Sequence, residues 1–222
     1  NYKKYKNLLG TFYPPDALHI CPGFFQTLSE RDFESGLGEV VKFNIMAGEH
    51  GLKNIEDNID RLLARDEDCL KQFVYSSLEF KKGFIEVDEF DRGERIKLNF
   101  AHTFGHAIET VTGYEIPHGT AVAIGMIMAN RVAERRGMLD SEIARRSEKV
   151  LLRVIHIGID LNEYPLQRFI SAMRKDKKQT SEHLTAVLMT NVAKDLKIVH
   201  DVQIEEVADA RDYFEQLYHA QA

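Results

Sequence analysis

Apolar residues recur at helical spacing along most of this 222-residue chain. Side chains three and four positions apart share one face of a helix, so this period predicts helices that each bury one stripe. Strand-like runs flank a polar turn near the end, at 184–189 and 196–199, and a short apolar stretch at 17–20 is a further strand candidate. We therefore predict one mostly α-helical domain over residues 1–222, with a few short strands.

Capping residues and the apolar period give the boundaries of the predicted helices. Ser29 is a suitable N-cap, with Asp32 in the capping-box position, so a helix begins there and continues to Ile45. The other predicted helices cover residues 55–86, 98–111, 118–136, 141–155, 166–174 and 204–218.

Charge and apolar content argue against two classes of partner. The net charge is −6 with both signs well mixed, whereas a nucleic-acid-binding protein needs a basic face. The longest apolar run, 121–128, is much too short to span a bilayer. Cys21 and Cys69 have no metal-ligand spacing, which favours buried thiols in a reducing compartment. We expect a cytoplasmic protein and, because the chain opens at Asn1 without a Met, a fragment of a longer one.

The segment 95–109 carries the most specific chemistry. His102 and His106 are four positions apart, one turn along the same helix face, and Arg95 and Asn99 have the same spacing just before them. A helix start lined in this way suits an anion, and a histidine pair at this spacing is also a familiar zinc-binding arrangement. No Glu follows the first histidine, which disfavours a metalloprotease. Such a pair alone indicates surface histidines about as often as ligands.

Three further residues extend this group of candidates. His118 follows Pro117 at the start of an apolar helix rich in small residues. Glu39 and Lys42 lie three apart on another apolar helix, where burial is costly unless the charges are paired or bind a ligand. The pair is therefore either a mutual salt bridge or a metal ligand beside a substrate contact. Residue types alone do not choose a ligand set among nine His and 35 acidic residues.

Several blocks of the chain together resemble the 3-dehydroquinate synthases, a branch of the sugar-phosphate cyclases. The blocks occur in the family's order at residues 6–13, 27–31, 36–42, 81–93, 95–109, 118–126 and 176–178. The resemblance implies the multihelical C-terminal domain of the dehydroquinate synthase-like fold, with the family's NAD-binding N-terminal domain absent from this chain. The sequence departs from the family pattern at Ala101, where Gly is usual, and at Thr120, where Glu is common.

The resemblance also implies roles for individual residues. Glu39, His102 and His118 match the ligands of Zn²⁺ (or Co²⁺), and His106 matches a substrate-contacting residue near the departing phosphate. Further substrate positions are matched by Lys42, Lys81, Arg95, Asn99, Lys177 and Asn7, with Lys178 an open alternative to Lys177. Positions at the edge of NAD⁺ are matched by Lys6, Phe24, Phe25, Gln26 and Thr27.

The activity implied is a redox-neutral cyclisation that uses NAD⁺ and a metal ion. It converts the anionic sugar phosphate 3-deoxy-D-arabino-heptulosonate 7-phosphate to 3-dehydroquinate and phosphate, a step of the shikimate pathway towards aromatic amino acids. The resemblance also implies a homodimer for the complete enzyme, and we expect the isolated domain to be inactive. Three alternatives remain: a cyclase of aminodehydroquinate, inosose or valiolone type, an iron-type alcohol or glycerol dehydrogenase-like domain, and a non-catalytic helical module.

Overall fold

The structure, a computed structural model, describes residues 16–90, 93–158, 160–175, 183–190 and 195–220. These residues form eight α-helices and one antiparallel pair of strands, so the prediction of a mostly α-helical fold is confirmed. The helices are α1 Glu30–Met46, α2 Glu49–Leu63, α3 Glu67–Val87, α4 His102–Val111, α5 His118–Arg135, α6 Ser141–Leu151, α7 Leu166–Arg174 and α8 Ile204–His219. The strands are β1 Leu184–Met189 and β2 Leu196–Val202.

Helix α5 forms the centre of the core. Its side chains from Gly119 to Asn130 are all buried, and it packs against α1, α4, α6, α8 and β1. A helix that is apolar on every side must be surrounded by other elements, which is why the remaining helices, each with one apolar face, arrange around it. The N-terminus of α5, at His118, lies beside α1 and α4.

The start of α1 agrees with the sequence prediction. The Ser29 hydroxyl accepts a hydrogen bond from the Asp32 backbone N–H at 3.1 Å and donates one to the Asp32 carboxylate at 2.7 Å. This cap satisfies one of the backbone donors that a helix start leaves without a partner. The stretch 17–20, in contrast, is exposed and forms no strand with any described residue, so that prediction was wrong.

Two predicted helices are interrupted. The segment 55–86 is split between α2 and α3 at Arg65, which has a positive φ of 57°, and Asp66 then caps α3 by accepting from the Cys69 N–H. The apolar period continues across this break because both helices bury residues in the same core. The segment 98–111 is also split, because α4 begins only at His102.

Both cysteines are free thiols: Cys69 is buried, as expected, whereas Cys21 is exposed. Within the described part of the chain, no helix combines the length and the apolar character that crossing a membrane requires.

Candidate metal centre

Glycines allow α1 and α5 to cross with their backbones in contact. A Cβ atom on Gly38 would lie 2.6 Å from the carbonyl carbon of Gly119, and one on Gly119 would lie 2.7 Å from the carbonyl carbon of Ser35. Neither position has room for a side chain. Because Glu39 follows the first glycine and His118 precedes the second, this crossing brings their side chains together.

A second close approach positions α4 against α5. A Cβ atom on Gly125 would lie 2.6 Å from the carbonyl oxygen of Ala101, just before α4. Ala101 itself adopts the left-handed conformation, with φ at 67°, and turns the chain out of a short 3₁₀ helix, Glu94–Asn99, into α4. His102 is the first residue after this turn, so it faces the N-terminal end of α5.

Glu39, His102 and His118 converge at these crossings. Glu39 Oε1 lies 3.6 Å from His102 Nε2 and 3.8 Å from His118 Nε2. Zinc bonds of about 2.0–2.1 Å at tetrahedral angles place two ligand atoms ~3.3 Å apart. Both distances would therefore need to shorten by only a few tenths of an ångström to hold the ion. Glu39 Oε1 is buried and accepts no hydrogen bond from a described residue. A buried, unsatisfied carboxylate oxygen fits a cation.

The partners of both histidines leave the Nε2 atoms available as ligands. His102 Nδ1 lies 3.0 Å from the carbonyl oxygen of Phe100, and His118 Nδ1 lies 3.1 Å from Glu109 Oε2. Both oxygens are acceptors, so each Nδ1 donates, and in a neutral ring the lone pair is then on Nε2, the nitrogen nearer Glu39 Oε1. Metal-bound histidines have this kind of outer partner.

The electrostatics keep His102 neutral. Burial, assisted by the positive charge of Lys42, lowers the pKa of His102 to about 2. Since only the neutral ring can bind a metal, this histidine need not release a proton first.

Lys42 forms an ion pair with the other oxygen of Glu39. Its side chain is 2% exposed, and Nζ lies 2.6 Å from Glu39 Oε2. The salt bridge is therefore present, and it leaves Oε1 available to a cation. The two interpretations that the sequence left open are compatible with each other.

His106 lies one turn along α4 from His102, on the same face. Its ring centroid is 5.4 Å from that of His102 and 5.8 Å from that of His118, with which it stacks. His106, Glu109 and His118 also form a second group whose ligand atoms lie within 4.8 Å of one another. This second group shares His118 with the first, so the two belong to one site.

The structure does not join three predicted substrate residues to this site. Arg95 donates to the Glu89 carbonyl at 2.6 Å and Asn99 donates to the Ile96 carbonyl at 2.9 Å, both locally, and Lys81 is exposed on α3. No hydrogen bond or ion pair between described residues links these three to the metal-ligand candidates. The prediction that Arg95 and Asn99 line the same helix start as the two histidines was wrong, because the turn at Ala101 separates their 3₁₀ helix from α4.

The predicted NAD-edge residues Phe24, Phe25, Gln26 and Thr27 lie in an exposed 3₁₀ helix, Pro22–Thr27. Arg65 holds this segment by donating to the carbonyls of Phe25 at 2.9 Å and Gln26 at 3.2 Å. Phe24 is 72% exposed, which leaves an apolar ring available for contact. Lys6, Asn7, Lys177 and Lys178 fall outside the described residues.

Glu109 was not among the predicted site residues. This residue lies three positions after His106 and seven after His102, so helical spacing places all three on one face of α4. That spacing was the available signal for an outer-shell partner. The residue that donates to it, His118, comes from another helix, which spacing within α4 cannot reveal.

Comparison with known proteins identifies the family. The family model described as 3-dehydroquinate synthase C-terminal matches residues 36–179. The chain belongs to this family. Among curated 3-dehydroquinate synthases, that of Acinetobacter baumannii strain AYE is 37% identical over 211 residues, covering 95% of this chain and 58% of the relative. That of Geobacter sp. strain M21 is 41% identical over 179 residues, covering 80% of this chain and 49% of the relative. The chain thus spans about half the length of these 3-dehydroquinate synthases.

Two solved structures share the fold. The 2-epi-5-epi-valiolone synthase of Streptomyces hygroscopicus subsp. jinggangensis 5008, with NAD⁺ and Zn²⁺ bound, has a TM-score of 0.79 at 22% identity over 95% of this chain and 59% of its own. A 2-deoxy-scyllo-inosose synthase complexed with carbaglucose-6-phosphate, NAD⁺ and Co²⁺ has a TM-score of 0.74 at 20% identity, with the same coverage. At these identities the likeness supports the fold of the 3-dehydroquinate synthase C-terminal domain.

Proposed function

We propose that this chain is the metal- and substrate-binding domain of a 3-dehydroquinate synthase that uses NAD⁺ and Zn²⁺. The complete enzyme cyclises 3-deoxy-D-arabino-heptulosonate 7-phosphate with loss of phosphate and is, we propose, a cytoplasmic homodimer. The observation that carries the proposal is the convergence of Glu39, His102 and His118 on one point, within a domain of this family.

The donor set suits a catalytic metal ion. One carboxylate oxygen and two imidazole nitrogens are typical of zinc, and three protein ligands leave a position open for substrate. Cobalt accepts the same donors. When bound, the ion supplies a Lewis acid that polarises substrate oxygens.

The surrounding residues bind the anion and handle protons. Lys42 holds Glu39 in place and adds a buried positive charge next to the metal-ligand candidates. We assign His106, whose ring lies 5.4 Å from that of His102, to proton transfer with the departing phosphate. We assign the carboxylate and phosphate of the substrate to five further polar residues: Lys81, Arg95, Asn99, Lys177 and Asn7.

We assign only a small part of the NAD⁺ site to this chain. The exposed 3₁₀ helix Pro22–Thr27 offers Phe24 and the backbone around it as one edge of a nicotinamide site, together with Lys6. The larger part of the cofactor binds, in this proposal, to the portion that the longer relatives have and this chain does not.

One alternative has its own support. The two structural neighbours are a 2-epi-5-epi-valiolone synthase and a 2-deoxy-scyllo-inosose synthase, so a cyclase of valiolone or inosose type would share this fold. The two curated 3-dehydroquinate synthases described above are at least 37% identical to this chain in sequence, which favours 3-dehydroquinate synthase over these alternatives.

The decisive experiment compares substrates and metal binding in the complete protein. Phosphate release should be fastest with the heptulosonate phosphate and should need catalytic NAD⁺, without steady accumulation of NADH. Glu39→Ala, His102→Ala and His118→Ala should each abolish turnover, and the triple variant should lose the zinc of this site. Retention of this zinc at unchanged affinity by the triple variant would show that the ligand assignment is wrong, and net NADH formation would indicate a dehydrogenase instead.

A further inference from the structure

A second group of ligand-type side chains lies at the C-terminal end of α8. Asp160, Glu215 and His219 each offer one ligand atom, and these atoms lie within 4.8 Å of one another. Asp160 precedes a short 3₁₀ helix, Leu161–Glu163, while the other two residues are one turn apart on α8. None of the three belongs to the helices that carry Glu39, His102 and His118, so the cluster is separate from the centre described above.

Glu215 is the unusual member of this cluster. It is 2% exposed, and its Oε1 accepts a hydrogen bond from the Leu161 N–H at 2.7 Å. Its Oε2 is also buried but accepts no hydrogen bond from any residue that the structure describes. An unsatisfied carboxylate oxygen in the interior costs free energy unless a cation or a proton occupies its free side.

The geometry of the neighbours favours a cation. His219 Nε2 lies 3.3 Å from Glu215 Oε2, which is within ion-pair distance but forms no hydrogen bond. Two ligand atoms of one tetrahedral zinc ion are also ~3.3 Å apart. Asp160 uses Oδ1 to accept from the Asn162 N–H at 2.7 Å, which fixes its carboxylate at the same point.

Two features make this position accessible and preformed. His219 is the last residue of α8, where the partial negative charge of a helix end stabilises a cation, and its side chain is 59% exposed, which gives an ion a path from solvent. The segment that carries Asp160 is held to α8 on both sides: the Tyr218 hydroxyl bonds to the backbone of Ile157, and Arg211 donates to the Tyr164 carbonyl at 3.0 Å.

We propose that Asp160, Glu215 and His219 form a second divalent-cation site, which ties the 3₁₀ helix Leu161–Glu163 to the end of α8. Two carboxylate oxygens and one imidazole nitrogen suit Zn²⁺ or a similar transition ion, whereas Mg²⁺ and Ca²⁺ prefer oxygen ligands alone. The role is structural, because a metal that binds only the folded chain stabilises it.

Zinc titration of the untagged chain tests the site. The native chain should bind two equivalents of Zn²⁺, and both Glu215→Gln and His219→Ala should reduce this to one. Glu215→Gln keeps the shape and the acceptor for Leu161, while His219→Ala changes an exposed residue, so both variants should fold. His50→Ala, which removes an exposed histidine of α2, is the matched control and should keep two equivalents.

A second arm removes the first centre. The Glu39→Ala, His102→Ala, His118→Ala variant should retain one equivalent of Zn²⁺, and added Zn²⁺ should raise its unfolding temperature. Adding His219→Ala should remove both the binding and the thermal shift. The proposal is overturned if the native chain binds one equivalent that His219→Ala leaves intact. It is equally overturned if Glu215→Gln and His219→Ala change neither stoichiometry nor thermal shift, which would assign a proton to Glu215.

Discussion

Gly38→Ala tests whether the backbone crossing of α1 and α5 assembles the metal centre. The new Cβ atom would lie 2.6 Å from the carbonyl carbon of Gly119. Carbon atoms in contact need roughly 3.5 Å, so the two helices must separate by about 1 Å locally. Glu39 follows the substituted residue and would move away from His118, whereas metal ligands tolerate errors of only about 0.2 Å.

Two effects of different size should result. Overpacking against backbone that cannot rotate away should lower the free energy of unfolding by about 1–3 kcal/mol. The affinity for Zn²⁺ at this centre should fall by at least the ~10–100-fold that is typical when a supporting interaction of a metal site is lost. Competition with a chromophoric chelator measures the affinity, and urea denaturation of the metal-free chain measures the stability.

Gly36→Ala is the matched control on the same helix. A Cβ atom there would have no atom within 4 Å, so the substitution should raise the unfolding free energy by about 0.5–1 kcal/mol through helix propensity alone. Its zinc affinity should match that of the native chain. If Gly38→Ala behaved like Gly36→Ala in both measurements, close backbone approach would not be what brings the ligands together.

Three further predictions concern the surroundings of the centre and the stability of the fold. Glu109→Ala should weaken zinc binding by about 10–100-fold, because His118 Nδ1 loses its hydrogen-bond acceptor. Glu109→Gln can still accept this hydrogen bond and should lose less zinc affinity. Competition with a chelator measures both affinities. The Arg136 guanidinium holds the pKa of Glu206 below its ordinary value of 4.5. Their pairing therefore stabilises the fold above that pH, and this stabilisation is lost as the pH falls through the folded-state pKa. In Arg136→Met, the midpoint of urea denaturation should fall less steeply with decreasing pH than in the native chain. Ala101→Val should lower the unfolding free energy by about 1–3 kcal/mol, since a β-branched residue fits poorly at a φ of 67°. Ala101→Gly should not lower it. Gel filtration would confirm that both variants are folded, and their melting temperatures would show the difference in stability.

Much of the helical content followed from local patterns. The cap at Ser29 and the helices that begin at His118 and Ser141 were predicted because capping chemistry and apolar period act over a few residues. The break before His102 was not, because Ala is a strong helix former and nothing local marks Ala101 as left-handed. The Gly that the family usually has at that position was the only sign of it.

The metal centre could be proposed from the resemblance but not built from spacing. Glu39 and His118 lie far apart in the chain, and the close crossing of α1 and α5 at Gly38 and Gly119 brings them together. The glycines beside Glu39 and His118 are visible in the sequence, yet they do not say which two helices meet. Glu109 was missed for the same reason, because its partner comes from another helix.

The pairing of Lys42 with Glu39 affects how the centre attracts its ligand. Within this pair the two charges cancel before a metal binds, so Glu39 adds no net negative charge to the centre. A divalent ion would then add two positive charges that this pair does not neutralise, in a chain whose net charge is −6. A doubly charged phosphate would be attracted to this positive spot, so metal loading would act as the condition for substrate capture.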